Sequence, residues 1–233
     1  MNNINNIIDK ILFGSFIINK IPKKDDITYN YYNNIKENTK NFTYEKVVKK
    51  FKKSHRTNLY LKKIQEIDFD LINKNSEIHG LDHILRTSIY ALIISINQNI
   101  SDYDLDIVLT SVFYHDIGRT NDIDDDNHGY NAISKLDFLK DKYSKKEFDT
   151  ICCLIAAHCL DDDKYISIAN EFNIANKKKL YKLLCIIKDA DALDRVREYP
   201  YTDIKYLRTK ISKQLLKLSY EIYYNYELNK GEN

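Results

Sequence analysis

Apolar residues recur along most of the chain at the three- and four-residue spacing of a helix. Leu109, Val112 and Phe113, at positions i, i+3 and i+4, would lie on one buried helical face. The same pattern predicts helices over residues 3–13, 44–54, 59–67, 69–72, 83–98, 102–114, 129–140, 144–159, 180–196 and 204–226. The polar, tyrosine-rich segment 22–43 is expected to be irregular or only partly helical.

Residues that interrupt helices are scarce. The chain has five glycines and two prolines among 233 residues, whereas ordinary usage would give about 28 of the two combined. We therefore predict an all-α fold. No stretch reaches the ~18 uninterrupted apolar residues of a membrane helix, and the asparagine-rich N-terminus is unlike a signal peptide. The expectation is a soluble, cytoplasmic protein that does not bind a membrane.

Charge and cysteine usage point to no special partner. The 36 basic and 34 acidic residues leave a formal net charge of +2, so the overall field does not mark a nucleic-acid binder. One dense basic cluster, Lys46 to Arg56, is expected to be a solvated helix face, with a phosphate-backbone contact as the alternative. The four cysteines have no C-x-x-C spacing and are interpreted as small buried hydrophobes in a reducing compartment: Cys152, Cys153, Cys159 and Cys185.

The segment from Val112 to Arg119 carries the first candidate chemistry. Gly118 would end the preceding helix in the left-handed conformation that closes a last turn. His115 and Asp116 would then lie in that turn, at the rim of the core. Imidazole nitrogen suits transition metals and carboxylate oxygen suits harder cations, so the pair is a candidate for metal binding only if the rest of the chain supplies partners.

Further histidines and an aspartate lie at comparable positions. His83 begins one helix after a capping Asp82, His128 closes a polar loop, and His158 ends an apolar helix. Asp191 stands among apolar residues, and a buried ionised carboxylate costs several kcal/mol unless it is paired or bound to a metal. Each residue alone has an ordinary alternative: a partly buried histidine, or an Asp191–Arg195 ion pair. His55 and His79 offer no argument beyond their residue type.

Three ordered motifs resemble those of the HD-domain superfamily of metal-dependent phosphohydrolases. They are residues 79–86 (HGLDHILR), 113–119 (FYHDIGR) and 188–195 (KDADALDR). Thr87 departs from the valine that many members carry after the arginine. The resemblance covers about residues 76–208. It implies a helical HD bundle. Residues 1–75 match no motif and are expected to be an N-terminal helical extension of unknown role, and residues 209–233 are expected to be a C-terminal helix that packs on the core.

The resemblance also implies a site. One divalent cation would be held by His83, His115, Asp116 and Asp191. This donor set suits Mn²⁺, Fe²⁺, Co²⁺, Ni²⁺ or Zn²⁺ better than Mg²⁺. His128 and His158 match positions that bind a second cation in some members, bridged by the carboxylate at Asp116, and face the phosphate in others. His128, His158 and Asp116 are accordingly the candidate catalytic residues.

Basic residues near these motifs are candidates for phosphate contacts: Arg119, Arg195 and Lys188. An arginine fork matches phosphate oxygens, although ion pairs of Arg119 with Asp122 and of Arg195 with Asp191 are equally good interpretations. The expected reaction is hydrolysis of a nucleotide or related small phosphoester by metal-activated water. Two alternatives remain open: a nuclease for single-stranded nucleic acid, and a non-catalytic module that binds a ligand or partner. The sequence leaves the oligomeric state open.

Overall fold

The fold is described here from a computed structural model, over residues 49–51, 53–72, 76, 78–123, 125–197 and 202–229. The helix expected at 3–13, the irregular segment 22–43 and most of the helix expected at 44–54 lie outside these residues. Within them the chain forms helices and turns and contains no strand. The predicted all-α class is confirmed.

The α-helices follow one another with short connections. They are α1 (Arg56–Glu66), α2 (Leu81–Asn97), α3 (Asp102–Tyr114), α4 (His128–Ile133), α5 (Lys145–His158), α6 (Tyr165–Glu171), α7 (Lys177–Asp194) and α8 (Lys210–Asn229). Short 3₁₀ turns lie between them at Phe69–Leu71, Asp137–Asp141, Asp162–Lys164, Arg195–Arg197 and Ile204–Tyr206.

Local capping explains several helix boundaries. Ser101 accepts a hydrogen bond from the Asp104 amide at the start of α3, and Ser144 and Glu147 form a reciprocal capping box at the start of α5. The prediction that Asp82 caps α2 is wrong, because Gly80 is the N-cap and Asp82 lies in the first turn.

Other boundaries also differ from the predictions. The helix expected at 129–140 is the short α4 followed by a 3₁₀ turn, and α6 was not predicted at all. In both places the apolar pattern is too short to distinguish one or two turns of helix from a loop.

Helix α2 is the centre of the core. Fourteen of its side chains are buried, and it packs against α7, α3 and α8. Burial all round the helix leaves no solvated face, which is typical of a central helix in a bundle. The first turn of α2 carries His83, so this residue of the centre described below is held by a largely buried helix.

Helix α1 and the residues before it are tied to the connection between α2 and α3. Arg56 Nε donates to Asp102 Oδ1 at 2.6 Å, and His55 Nε2 lies 2.9 Å from Asp102 Oδ2. Lys50 Nζ donates to Asn99 Oδ1 at 3.1 Å. Lys50, His55 and Arg56 of the basic cluster thus contact the connection between α2 and α3. None of the described helices combines the length and the apolar character needed to cross a membrane.

Candidate metal centre

Five separate segments bring their histidines and aspartates to one place. The first turn of α2 supplies His83, and the turn after α3 supplies His115 and Asp116. Three more side chains come from the start of α4, the end of α5 and the last turns of α7: His128, His158 and Asp191. The structure therefore brings together all six residues that the sequence proposed as ligands or catalytic groups.

The first group of donor atoms surrounds a point between α2, α3 and α7. His83 Nε2 lies 3.3 Å from His115 Nε2 and 3.4 Å from both Asp116 Oδ2 and Asp191 Oδ1. His115 Nε2 lies 3.4 Å from Asp116 Oδ2 and 3.8 Å from Asp191 Oδ1. Two ligands each ~2.1 Å from a shared ion would be roughly 3.0–3.4 Å apart. These separations fit a cation.

The second group lies on the other side of Asp116. Its Oδ1 is 3.2 Å from His128 Nε2 and 3.7 Å from His158 Nε2, and the two ring nitrogens are 2.9 Å apart. The two oxygens of one carboxylate thus face two different sets of imidazoles. This is the arrangement of a carboxylate that bridges two ions, or one ion and a proton.

The tautomers of all four rings direct a lone pair into the centre. The Nδ1 atoms of His115, His128 and His158 each contact a backbone carbonyl, of Val112, Asp125 and Ile155 respectively. A carbonyl only accepts, so each Nδ1 carries a proton, and whenever the ring is neutral its Nε2 is the nitrogen with the lone pair. His83 Nδ1 likewise donates to Asp194 Oδ2 at 2.8 Å. Facing lone pairs need a cation or a proton between them, and such fixed Nδ1 hydrogen bonds are usual for metal-binding histidines.

The imidazoles lower the pKa values of both carboxylates in the centre. Burial raises the pKa of Asp116, but His115 and the other three rings outweigh it and hold that pKa well below its usual range. Burial also raises the pKa of Asp191, and His115 and His83 again reverse the effect. Both carboxylates are therefore ionised and negative at neutral pH.

The histidines of the second group differ from each other. Burial alone would lower the pKa of His128, but Asp116 and then Cys159 raise it to about 10. Burial lowers the pKa of His158 to about 4, helped by the charges of His115 and His128. A proton left in this group in the absence of a metal ion therefore resides on His128.

Two glycines allow the second group to form. A Cβ on Gly118 would lie 1.9 Å from the carbonyl oxygen of His128, and one on Gly129 would lie 2.5 Å from that of Ile155. The expectation that Gly118 is left-handed is wrong, since no glycine in the described part of the chain has a positive φ. α3 in fact ends at Tyr114. Gly118 is needed because the backbone of α4 approaches it closely.

Asp191 is less buried than its apolar neighbours in the sequence suggested. Its side chain is 33% exposed, whereas Asp189 and Asp194 on the same helix are fully buried. Asp191 also faces His83 and His115 in place of the alternative partner Arg195. A partly open carboxylate at the edge of the group leaves a side by which water and substrate can reach the cation.

Asp194 is a supporting residue that the sequence analysis did not assign. Besides His83 Nδ1, its carboxylate binds Arg86 Nε at 2.7 Å and Arg197 Nη1 at 3.2 Å. Burial raises the pKa of Asp194, but the two arginines lower it to about 2. The signal was present in the motif spacing, since Arg86 follows His83 by three residues and Asp194 follows Asp191 by three.

The three phosphate-contact candidates lie in different environments. Arg119 Nε donates to Asp116 Oδ1 at 3.0 Å, so its ion-pair partner is Asp116 and not the expected Asp122. Lys188 donates to Asp162 Oδ1 at 2.7 Å and to the Leu160 carbonyl. Two of its three ammonium protons are thus used within the protein, and its phosphate contact stays a prediction. Arg195 is exposed at the end of α7, and its phosphate contact stays a prediction.

His79 also approaches the centre, although its residue type alone gave no reason to select it. Its ring packs edge-on to His83 with centroids 5.8 Å apart, and its Nδ1 lies 3.1 Å from Asp122 Oδ1. Ser76 Oγ contacts Asp122 and accepts from the His79 amide at 2.6 Å. These contacts join the segment before α2 to the loop after α3 at the mouth of the centre.

Comparison with known proteins agrees with this geometry. No curated protein and no solved structure shows significant similarity to the chain. A family model, described as the HD domain, matches residues 80–196, which is just over half of the chain and spans all six converging side chains. The predicted resemblance is confirmed, and the protein belongs to the HD-domain family, whose members are metal-dependent phosphohydrolases.

Proposed function

We propose that this protein is an intracellular phosphohydrolase that uses divalent metal to cleave a phosphoester of a nucleotide or related small molecule. The observation that carries the proposal is the convergence of four imidazole Nε2 atoms on the two oxygens of Asp116. Such a cluster is expensive to bury unless a cation neutralises it. The HD-domain family supplies the reaction class.

The first cation site would consist of His83, His115, Asp116 and Asp191. Two imidazoles and two carboxylates favour Mn²⁺, Fe²⁺, Co²⁺, Ni²⁺ or Zn²⁺ over Mg²⁺. A divalent ion in this position supplies Lewis acidity and makes water nucleophilic near neutral pH.

The other residues then have separable tasks. Asp194 fixes the tautomer of His83 so that Nε2 points inward. Asp116 joins the two groups through its two oxygens. With no second ion, His128 would hold a proton at Nε2, because Asp116 and Cys159 raise its pKa to about 10, and it could give that proton to a leaving oxygen.

Arg119 is the best placed residue for a phosphate contact. Its Nε is used by Asp116 and its Nη1 by the Ile123 carbonyl at 3.3 Å. The side chain is anchored beside the centre, and the guanidinium carries more donors than these two contacts use. A fixed guanidinium loses less entropy on binding phosphate than a mobile lysine.

The nuclease alternative receives no support from the described part of the chain. It depended on the basic cluster from Lys46 to Arg56, and Arg56 and His55 are engaged with Asp102. A steep loss of nucleic-acid binding with added salt would be needed to restore it.

The test combines elemental analysis with a phosphate-release screen over nucleotides and generic phosphoesters, with Mn²⁺, Co²⁺ or Ni²⁺ added. We expect at least one ion per chain and release of phosphate, both lost in Asp116→Ala. An ion-containing protein that hydrolyses nothing would instead favour the non-catalytic module.

A further inference from the structure

Cys159 does not behave as the small buried hydrophobe expected from the sequence. It is the residue after His158, at the C-terminal cap of α5, and it is partly exposed while the other three cysteines are buried. One donor atom from each of His128, His158 and Cys159 lies within 4.8 Å of the others. The thiol thus lies beside the second group of imidazoles and not in the core.

The contacts of Cys159 leave its sulfur available. The thiol donates only weakly, to the Asp126 carbonyl at 3.4 Å and the Ala156 carbonyl at 3.8 Å. Neither contact uses a sulfur lone pair. Because Cys159 caps the helix, rotation about its Cα–Cβ bond moves the sulfur without disturbing α5.

The neighbouring imidazoles independently indicate a cation. His128 Nε2 and His158 Nε2 are 2.9 Å apart, both rings are nearly fully buried, and both Nδ1 protons are used by backbone carbonyls. The two Nε2 atoms therefore face each other and Asp116 Oδ1, and together they can hold a proton or a cation. A tetrahedral ion with two nitrogens at ~2.1 Å and a sulfur at ~2.3 Å places nitrogen and sulfur about 3.6 Å apart. In the structure the donor atoms of the three residues lie within 4.8 Å of one another, so coordination needs the sulfur to move closer to the imidazoles.

We propose that Cys159 is a ligand of a second cation, completing a site formed by His128, His158 and Asp116 Oδ1. This inference rests on the proposed metal-dependent function and extends it. The first site offers nitrogen and oxygen, whereas the second adds a thiolate, which selects thiophilic ions such as Zn²⁺. The two halves of the centre thus prefer different metals.

Cobalt provides the direct test, because a thiolate bound to Co²⁺ gives a charge-transfer band in the near ultraviolet that imidazole and carboxylate ligands do not. The full-length, reduced, metal-stripped protein is titrated with Co²⁺ under anaerobic conditions. We expect two ions to bind, with the band growing with one of the two equivalents and not with the other.

Two cysteine variants test which residue supplies the sulfur ligand. Cys159→Ser should lose the band while circular dichroism shows an unchanged helical content. Cys185→Ser is the matched control, since Cys185 is buried in α7 away from the second group, and it should keep the band. X-ray absorption at the zinc edge gives a second readout, with a sulfur neighbour at ~2.3 Å expected in the wild type and absent in Cys159→Ser.

Three results would overturn the inference: two bound cobalt ions without the band, a band that persists in Cys159→Ser, or no second binding event. Failure of the proposed function looks different. A protein that shows the cysteine-dependent band but hydrolyses no phosphoester has the second site without the activity. One that hydrolyses phosphoesters without the band has the activity without the thiolate ligand.

Discussion

Helix α7 faces two clusters of charged side chains that look alike in sequence but differ in chemistry. One is the metal centre around Asp191. The other, which we term the α7 ion-pair cluster, consists of Asp162, Lys188, Asp189 and Arg208. In the second cluster Arg208 binds Asp162 through Nε and Nη2, each at 2.8 Å, and Asp189 accepts from the Thr209 amide at 2.7 Å and from Ser212 Oγ at 2.6 Å.

The difference lies in what faces each carboxylate. In the ion-pair cluster every carboxylate oxygen meets a guanidinium, an ammonium, an amide or a hydroxyl donor, so the charge is neutralised within the protein. In the metal centre the carboxylates of Asp116 and Asp191 instead meet the Nε2 atoms of imidazoles. The ion-pair cluster satisfies its own hydrogen bonds and stabilises the fold, whereas the metal centre gathers donor atoms that a bound cation would satisfy.

The largest effect is expected from Asp116→Ala. It removes the one side chain that touches both groups of imidazoles, so metal retention should be lost and phosphoester hydrolysis should fall by roughly a thousandfold or more. Elemental analysis and phosphate release measure both. Circular dichroism should show a largely retained helical content, although the ion pair of Asp116 with Arg119 is lost.

The opposite behaviour is expected from Asp189→Ala in the ion-pair cluster. Removing a buried carboxylate that holds Thr209, Ser212 and Arg208 should lower the free energy of unfolding by roughly 3–5 kcal/mol. Denaturant unfolding measures this. The folded fraction should still bind metal, and an Asp189→Ala protein that is stable but metal-free would reverse the assigned roles of the two clusters.

Gly118→Ala should affect the metal centre through packing alone. The added methyl group overlaps the His128 carbonyl, so α4 must move, at a cost of about 1–3 kcal/mol or more. Helix α4 carries His128 but none of the first-site ligands. The affinity for the second metal ion should therefore fall more than the affinity for the first. Calorimetric titration of both equivalents tests this. Equal weakening of both would show that the two groups are not separable.

The smallest effect is a graded dependence of metal affinity on pH. The raised pKa of His128, about 10, and the raised pKa of His115 mean that metal ions compete with protons near neutrality. Affinity should therefore rise with pH, by about tenfold per pH unit for each proton displaced. Calorimetry in buffers of different ionisation enthalpy counts these protons. Metal affinity that does not change with pH would contradict the assigned ligands.

Sequence patterns predicted some parts of this molecule well. The apolar spacing located α3 with its observed bounds. The ordered motifs selected four of the six converging side chains, and the resemblance added His128 and His158. The all-α class followed from the same periodicity and from the scarcity of glycine and proline.

Other features depend on long-range contacts and could not be derived from local patterns. Whether Asp189, Asp191 or Asp194 faces the metal is decided by what packs against α7, not by their equally apolar neighbours. The roles of Gly118 and His79 likewise depend on a loop and a helix that approach them from elsewhere in the chain. The ion pair of Lys188 with Asp162 also joins residues that are far apart in the sequence.

The most direct test of the central claim is anomalous diffraction from crystals of the protein soaked in Mn²⁺ or Zn²⁺. The account predicts an anomalous peak that contacts His83 Nε2, His115 Nε2, Asp116 Oδ2 and Asp191 Oδ1 together. A map with no peak there, with the four side chains in their present positions, would contradict it.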